Sequence, residues 1–269
     1  MRPDQGSHPT HGAENNVVSQ LYRHAFYSID PETHLINYNE LERMAQELHP
    51  KLIIAGGCAY ARLIDFERIS QAAKAVGAYF MVDMAHQSGL IAAGVIPSPV
   101  PYADFLSSST TKTICGPRSG FVLCKSEYAQ QLDHGVHPGL IASLHLQTMA
   151  AMAHTFFYAA TPVFRAAMQR TVDNARALCE SLQCRGFRIL SGGTDTHLFV
   201  IDLRGHTLGG QGFADALEKT GISVNAILIP YDEPGSLNGV RVGCTVCAQR
   251  GMGRAEMERI AAIFDRVAS

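Results

Sequence analysis

The first half of the chain alternates between short apolar runs and segments with helical spacing, and this alternation constrains the fold most strongly. The apolar run 52–55 ends at a glycine pair, and the run 79–82 ends at Asp83. Between them, residues 65–77 place apolar side chains on one face of a helix. A strand, a helix and a second strand in this order predict a right-handed crossover between parallel strands. We therefore predict an α/β fold with a mostly parallel sheet.

Chemically useful side chains follow the ends of these predicted strands. Asp83 and His86 come directly after the run 79–82, and the polar segment 107–112 follows a short apolar segment at 103–106. In open α/β sheets, functional groups lie beyond the carboxyl ends of the strands. The sequence therefore predicts a functional site at this edge of the sheet.

The second half of the chain predicts a smaller α+β unit. Its expected helices lie at 163–184, 211–220 and 253–267, and its expected strands at 188–190, 198–202 and 222–225. A further helix is expected before it, at 139–158. The boundary is expected in the helix after Pro162. We therefore expect a large domain at 1–165 and a small C-terminal domain at 166–269.

Charge and hydropathy point to a small-molecule partner. The formal net charge is −2, and no cluster of Lys and Arg predicts binding to nucleic acid or to an anionic membrane. No apolar run approaches the roughly 18–20 residues that span a bilayer. The sequence opens on MRPDQG, without the apolar segment of a signal peptide. These observations favour a cytoplasmic protein.

The cysteines indicate reduced thiols rather than a disulfide framework or a metal centre. There are seven, an odd number with no regular spacing. Cys244 and Cys247 form a C-x-x-C pair, but no second pair follows at the spacing of a structural zinc site. His8 and His11 resemble half a metal site without an acidic or histidine partner nearby in sequence. We expect no metal.

Three local strings together point to a reaction class. They are VDMAH at 82–86, TTKT at 110–113 followed by GPR at 116–118, and GVRVG at 239–243. With shorter matches through nearly the whole chain, including HPTHG at 8–12, the sequence resembles serine hydroxymethyltransferase. The resemblance implies a fold-type I pyridoxal-phosphate enzyme. It makes 1–165 the cofactor-binding large domain and 166–269 the small domain, each of them partial relative to the family.

The resemblance assigns the central roles to three residues. It makes Lys112 the lysine that holds pyridoxal phosphate as a Schiff base, which requires an amine able to lose its proton. Asp83 would keep the pyridine nitrogen protonated so that electrons from the substrate α-carbon can spread into the ring. Arg241 would bind the substrate carboxylate with its planar donor pair. Read alone, Lys112 fits a surface loop, Asp83 a helix cap and Arg241 a surface ion pair.

Other residues are implied as cofactor or catalytic contacts. The resemblance places His8 against the cofactor ring and His86 near its ring oxygen, although isolated histidines often have structural roles. It also implies cofactor contacts from Ser109 and from Cys58, which replaces a common serine and donates more weakly. Thr111 stands where the family usually has histidine. A shorter side chain there predicts room for a bulkier substrate.

Several functions stay open. The leading hypothesis is one-carbon transfer between serine, or α-methylserine, and tetrahydrofolate. Because Ile227 replaces a family asparagine near the pterin, a folate-independent β-hydroxy amino acid aldolase or transaldolase is the alternative. The resemblance begins inside the usual family sequence, past a catalytic glutamate and tyrosine, and stops before the final helices. A non-catalytic fragment or homologue is therefore the third hypothesis. The family implies a homodimer or homotetramer.

Overall fold

A computed structural model describes residues 1–233 and 235–269. The helices are α1 (Val17–Leu21), α2 (Tyr38–Leu48), α3 (Phe66–Ala75), α4 (Ser88–Ala92), α5 (Ala129–Val136), α6 (Leu146–Ala159), α7 (Pro162–Cys184), α8 (Gly209–Glu218), α9 (Thr245–Gln249) and α10 (Arg254–Ala268). The strands are β1 (Leu52–Gly56), β2 (Tyr79–Asp83), β3 (Phe105–Ser109), β4 (Gly120–Cys124), β5 (Arg188–Ile189), β6 (Leu198–Asp202), β7 (Asn225–Ile227) and β8 (Gly239–Gly243). The predicted α/β fold is confirmed. No described helix is long and apolar enough to cross a membrane.

The chain divides into two compact units. The parallel-sheet unit comprises Tyr38–Gly56 and Asp65–Arg165, and the antiparallel-sheet unit comprises Met1–Asn37, Gly57–Ile64 and Ala166–Ser269. The assignment of a cofactor-binding domain to 1–165 and a C-terminal domain to 166–269 stays a prediction, because compact units and functional domains are different divisions of a chain.

The parallel-sheet unit is built on strands in the order β1-β2-β3-β4. The first three strands are parallel and β4 is antiparallel to β3. Inside the sheet, Phe80, Val82 and Leu106 are almost fully buried. Asp65 caps α3, and its carboxylate accepts a hydrogen bond of 3.0 Å from the Arg68 amide.

The antiparallel-sheet unit carries strands in the order β5-β6-β8-β7. Alternate side chains of β6 and β8, including Phe199, Ile201, Val240 and Val242, enter one core with residues of α7, α8 and α10. This alternation leaves the intervening side chains of β8, such as Arg241, for the opposite face of the sheet.

Two segments of the predicted secondary structure are wrong. The expected helix at 139–158 begins only at Leu146. The residues before it belong to the turn that follows α5, in which the amides of Leu140 and Ile141 both donate to the Val136 carbonyl. The strand expected at 222–225 lies at Asn225–Ile227, where pairing with β8 fixes it.

Candidate active site

Three strand ends meet at one edge of the parallel sheet. Asp83 is the last residue of β2 and Ser109 is the last residue of β3, and Asp83 is paired in register with Ser107. On its other side Asp83 is paired with Gly56 of β1, where an added Cβ would lie 2.1 Å from the Asp83 carbonyl oxygen. A glycine is therefore required for this close approach. The position of Asp83 at a strand end is confirmed.

Hydrogen bonds fix the turn that follows Asp83. The Asp83 carboxylate accepts a bond of 3.0 Å from the Ala85 amide, and the Met84 amide donates to the Ser107 carbonyl at 2.9 Å. This Asx-type turn presents His86 before α4 begins. The sequence thus holds a carboxylate and an imidazole within four residues at the end of one strand.

The segment after β3 carries Lys112 in a hydroxyl-rich loop. The Ser109 and Thr111 hydroxyls lie 2.9 Å apart, and the Thr111 amide donates to the Ser109 hydroxyl at 3.3 Å. The Lys112 carbonyl accepts from the Cys115 amide at 2.9 Å, and Cys115 has the left-handed φ of 65°. Lys112 itself is half-buried. The loop therefore presents an amine among hydroxyl donors at the same sheet edge.

Thr113 ties this loop to the turn after β2. Its hydroxyl donates to the His86 carbonyl at 2.9 Å and accepts from the Gly89 amide at 3.0 Å. The side chain is almost fully buried, at 1% exposure. The parallel-sheet unit therefore brings Lys112 and His86 onto segments that share one anchoring hydroxyl.

The antiparallel-sheet unit holds the other predicted contacts. The Cys58 thiol donates to the Ser7 carbonyl at 3.3 Å, and the Cys58 amide donates to the Gly6 carbonyl at 2.9 Å. His8 accepts a bond of 3.3 Å from the Thr10 amide through Nδ1, which also lies 2.7 Å from the Thr10 hydroxyl. Cys58 and His8 are thereby placed on neighbouring backbone segments.

Arg241, in β8, contacts the segment that carries Cys58. One terminal guanidinium nitrogen donates to the Cys58 carbonyl at 2.8 Å, and the other donates to the Asn225 side-chain oxygen at 3.1 Å. The unit thus brings Arg241 and Cys58 into direct contact. These acceptors hold the plane of the guanidinium in one orientation.

Sequence reasoning missed two residues that contact the predicted ones. Thr113 ends the motif TTKT at 110–113, but the sequence does not predict its contact with His86. Asn225 ends a predicted strand, and its contact with Arg241 is likewise not predicted. A strand assignment at 239–243, where Val240 and Val242 alternate with Arg241, was the available signal for the second contact.

Ile227 lies in an apolar environment in the antiparallel-sheet unit. Ile227 packs against a small core cluster formed by Leu190, Val200 and Ile229. It also lines a small surface pocket together with Tyr60. The side chain at this position offers no hydrogen bond to a ligand.

One protein family matches the sequence over nearly the whole chain. The family model described as serine hydroxymethyltransferase matches residues 1–264.

Proposed function

The chain belongs to the serine hydroxymethyltransferase family, and we propose on that premise that it transfers a one-carbon unit between serine, or an α-substituted serine such as α-methylserine, and tetrahydrofolate. The family comprises fold-type I, pyridoxal-phosphate-dependent transferases, and the α/β fold agrees with it. The observation that carries the proposal is the placement of Asp83 and the Lys112 loop beyond adjacent parallel strands.

The side chains at the sheet edge fit pyridoxal phosphate by their chemistry. Lys112 offers an amine for covalent attachment, Asp83 a carboxylate for a protonated ring nitrogen, and Ser109 a hydroxyl donor. His86 completes the set that we propose for cofactor binding on this unit. When bound, pyridoxal phosphate supplies an electron sink for the pair released at the substrate α-carbon.

We assign a separate task to each residue of the chain. Lys112 would hold the cofactor through its side-chain amine. Asp83, whose carboxylate is oriented by the Ala85 amide, keeps a proton on the ring nitrogen. His8 and Cys58 add cofactor contacts, in keeping with the family resemblance.

Arg241 orients the substrate in this proposal. A guanidinium binds a carboxylate through two parallel N–H groups, which fixes the direction of the α-carbon as well as its distance. Its contacts with Asn225 and Cys58 hold it in one orientation before the substrate arrives. The α-carboxylate is the part of an amino acid that every candidate substrate shares.

Thr111 supports a substrate with an additional group on the α-carbon. Its hydroxyl is engaged with Ser109, and its side chain is smaller than the imidazole usual in the family. The smaller volume accommodates an α-methyl group. It also removes a group that could carry a proton at neutral pH.

Ile227 favours a second candidate, a folate-independent aldolase or transaldolase acting on β-hydroxy amino acids. Its packing against Leu190, Val200 and Ile229 leaves a hydrocarbon surface where a pterin would need a hydrogen-bond partner. Under this alternative the aldehyde is released or passed to a second amino acid.

Product analysis with and without tetrahydrofolate separates the candidates. We expect the purified chain, supplied with pyridoxal phosphate, to convert serine to glycine and α-methylserine to alanine only when tetrahydrofolate is present. Aldehyde release from threonine without folate would instead support the aldolase. Cofactor binding without turnover of any of these amino acids would contradict both and leave a non-catalytic homologue.

We also propose a homodimer or homotetramer in the cytoplasm. Three large apolar side chains of the parallel-sheet unit support association, since Leu140, Leu146 and Phe157 are 88%, 71% and 74% exposed. Light scattering on the purified chain tests this, and a monomer at micromolar concentration would contradict it.

A further inference from the structure

The two strands at one end of the antiparallel sheet place Asn225 directly opposite Arg241. β7 and β8 are antiparallel and pair Asn225 with Arg241, while Val200 of β6 lies opposite Arg241 on the other side. Directly opposed residues point to the same face of a sheet. The amide of Asn225 and the guanidinium of Arg241 are therefore neighbours by register.

Both acceptors of the Arg241 guanidinium are neutral. The Asn225 side-chain oxygen and the Cys58 carbonyl take one bond from each terminal nitrogen. Across the described residues, 1–233 and 235–269, no carboxylate lies within ion-pair distance of Arg241. The guanidinium is thus oriented while its positive charge is not neutralised by a neighbour.

Two other arginines of the same unit, Arg62 and Arg204, are paired with carboxylates. Arg62 contacts the Asp195 carboxylate at 3.0 Å, and Arg204 contacts the Asp202 carboxylate at 2.7 Å. Those guanidinium groups have an anionic partner within the chain. Arg241 combines fixed geometry with an available charge, which is the combination needed to bind an external carboxylate.

We propose that Asn225 is a positioning residue that orients Arg241 and, by being uncharged, keeps its charge available for the α-carboxylate of an amino acid. This inference rests on the proposed function, which assigns the substrate carboxylate to Arg241. An aspartate at position 225 would have nearly the same shape and would accept the same hydrogen bond. It would also compete with the substrate carboxylate for the guanidinium.

The test compares two ligands on the enzyme loaded with pyridoxal phosphate. Serine and ethanolamine share an amine and a hydroxyl, and only serine has a carboxylate. Their dissociation constants are measured from the change in the visible absorbance of the bound cofactor. We expect Asn225→Asp to weaken serine at least tenfold, Asn225→Ala to weaken it less, and neither to change ethanolamine binding. Thermal unfolding of the cofactor-free variants reports whether the fold is retained.

A matched control comes from the Arg62–Asp195 pair of the same unit. Asp195→Asn removes a carboxylate beside a half-buried arginine, so we expect it to lower stability without changing the ratio of the two dissociation constants. An equal effect of Asn225→Asp on both ligands, or none on serine, overturns the role of Asn225. If Arg241→Ala leaves the ratio unchanged, the assignment of the carboxylate to Arg241 in the proposed function is what fails, and Asn225 loses its role with it.

Discussion

Asp202 is the most strongly enclosed carboxylate among the ion pairs of the described chain, with its side chain only 1% exposed. It ends β6, accepts from the Arg204 amide at 3.0 Å and contacts the Arg204 and Arg188 guanidinium groups. Burial raises the pKa of Asp202, but the hydrogen bonds and charge of Arg204, aided by Arg188, outweigh burial and hold the pKa below its usual value. The ionised form is therefore the one that stabilises the fold.

We predict that Asp202→Asn lowers the free energy of unfolding by about 1–3 kcal/mol at neutral pH. This is less than the loss of a fully buried pair, because both arginines are partly in water. A lowered folded-state pKa stabilises the protein above the unfolded value of about 3.9, and the effect is lost as the pH falls through the folded value. Urea unfolding should show the two proteins converging below that range. A gap that persists unchanged in acid would contradict the ionic origin.

At the scale of single residues, the sequence predicted the positions of residues that lie within short local motifs. Asp83 and Lys112 each lie within a few residues of an apolar run that ends a strand, so their position followed from local patterns. Their chemical roles remain predictions. The contacts of Asn225 with Arg241 and of Thr113 with His86 join residues 16 and 27 positions apart, and neither distance follows from local spacing.

The start of α4 packs directly against the Lys112 loop. At Gly89 an added Cβ would lie 2.3 Å from the Thr113 carbonyl oxygen and 2.8 Å from the Ile114 amide nitrogen. These atoms belong to the backbone, which cannot move away cheaply. The helix and the loop therefore hold each other in place, and the loop carries the lysine.

We predict that Gly89→Ala destabilises the chain by about 1–3 kcal/mol and weakens cofactor binding, because it displaces the loop that holds Lys112. Gly135→Ala is the matched control. Gly135 lies in α5 with nothing within 4 Å of an added Cβ, so we expect a neutral or slightly stabilising effect there. Thermal unfolding and titration with pyridoxal phosphate measure both quantities. Equal behaviour of the two variants would contradict the role of Gly89.

Elements with a strong periodic pattern were predicted well, and those set by pairing were not. The boundaries of α3 and β2 lie within two residues of the predicted ones, because caps and apolar runs mark them. β8 was not predicted as a strand, since glycines bound it and an arginine stands at its centre. Its pairing with β6 and β7 compensates for these weak local preferences.

At the scale of the whole molecule, the antiparallel-sheet unit gathers three separate segments of the chain. Gly57–Ile64 follows β1 directly, yet it packs with Met1–Asn37 and Ala166–Ser269. Specific contacts hold it there, including Arg62 with Asp195 and the Cys58 carbonyl with Arg241. Such long-range association depends on the three-dimensional arrangement of strands, so composition along the sequence does not reveal it.

The attachment of the cofactor to Lys112 is the central claim, and the absorbance spectrum of the purified chain with pyridoxal phosphate tests it most directly. Lys112→Ala is compared with Lys74→Ala, an exposed lysine of α3 in the same unit. We predict a visible band that Lys74→Ala retains and Lys112→Ala loses, and that shifts when glycine, serine or α-methylserine is added. An unchanged band in Lys112→Ala, or no band in the unaltered chain, would contradict the assignment.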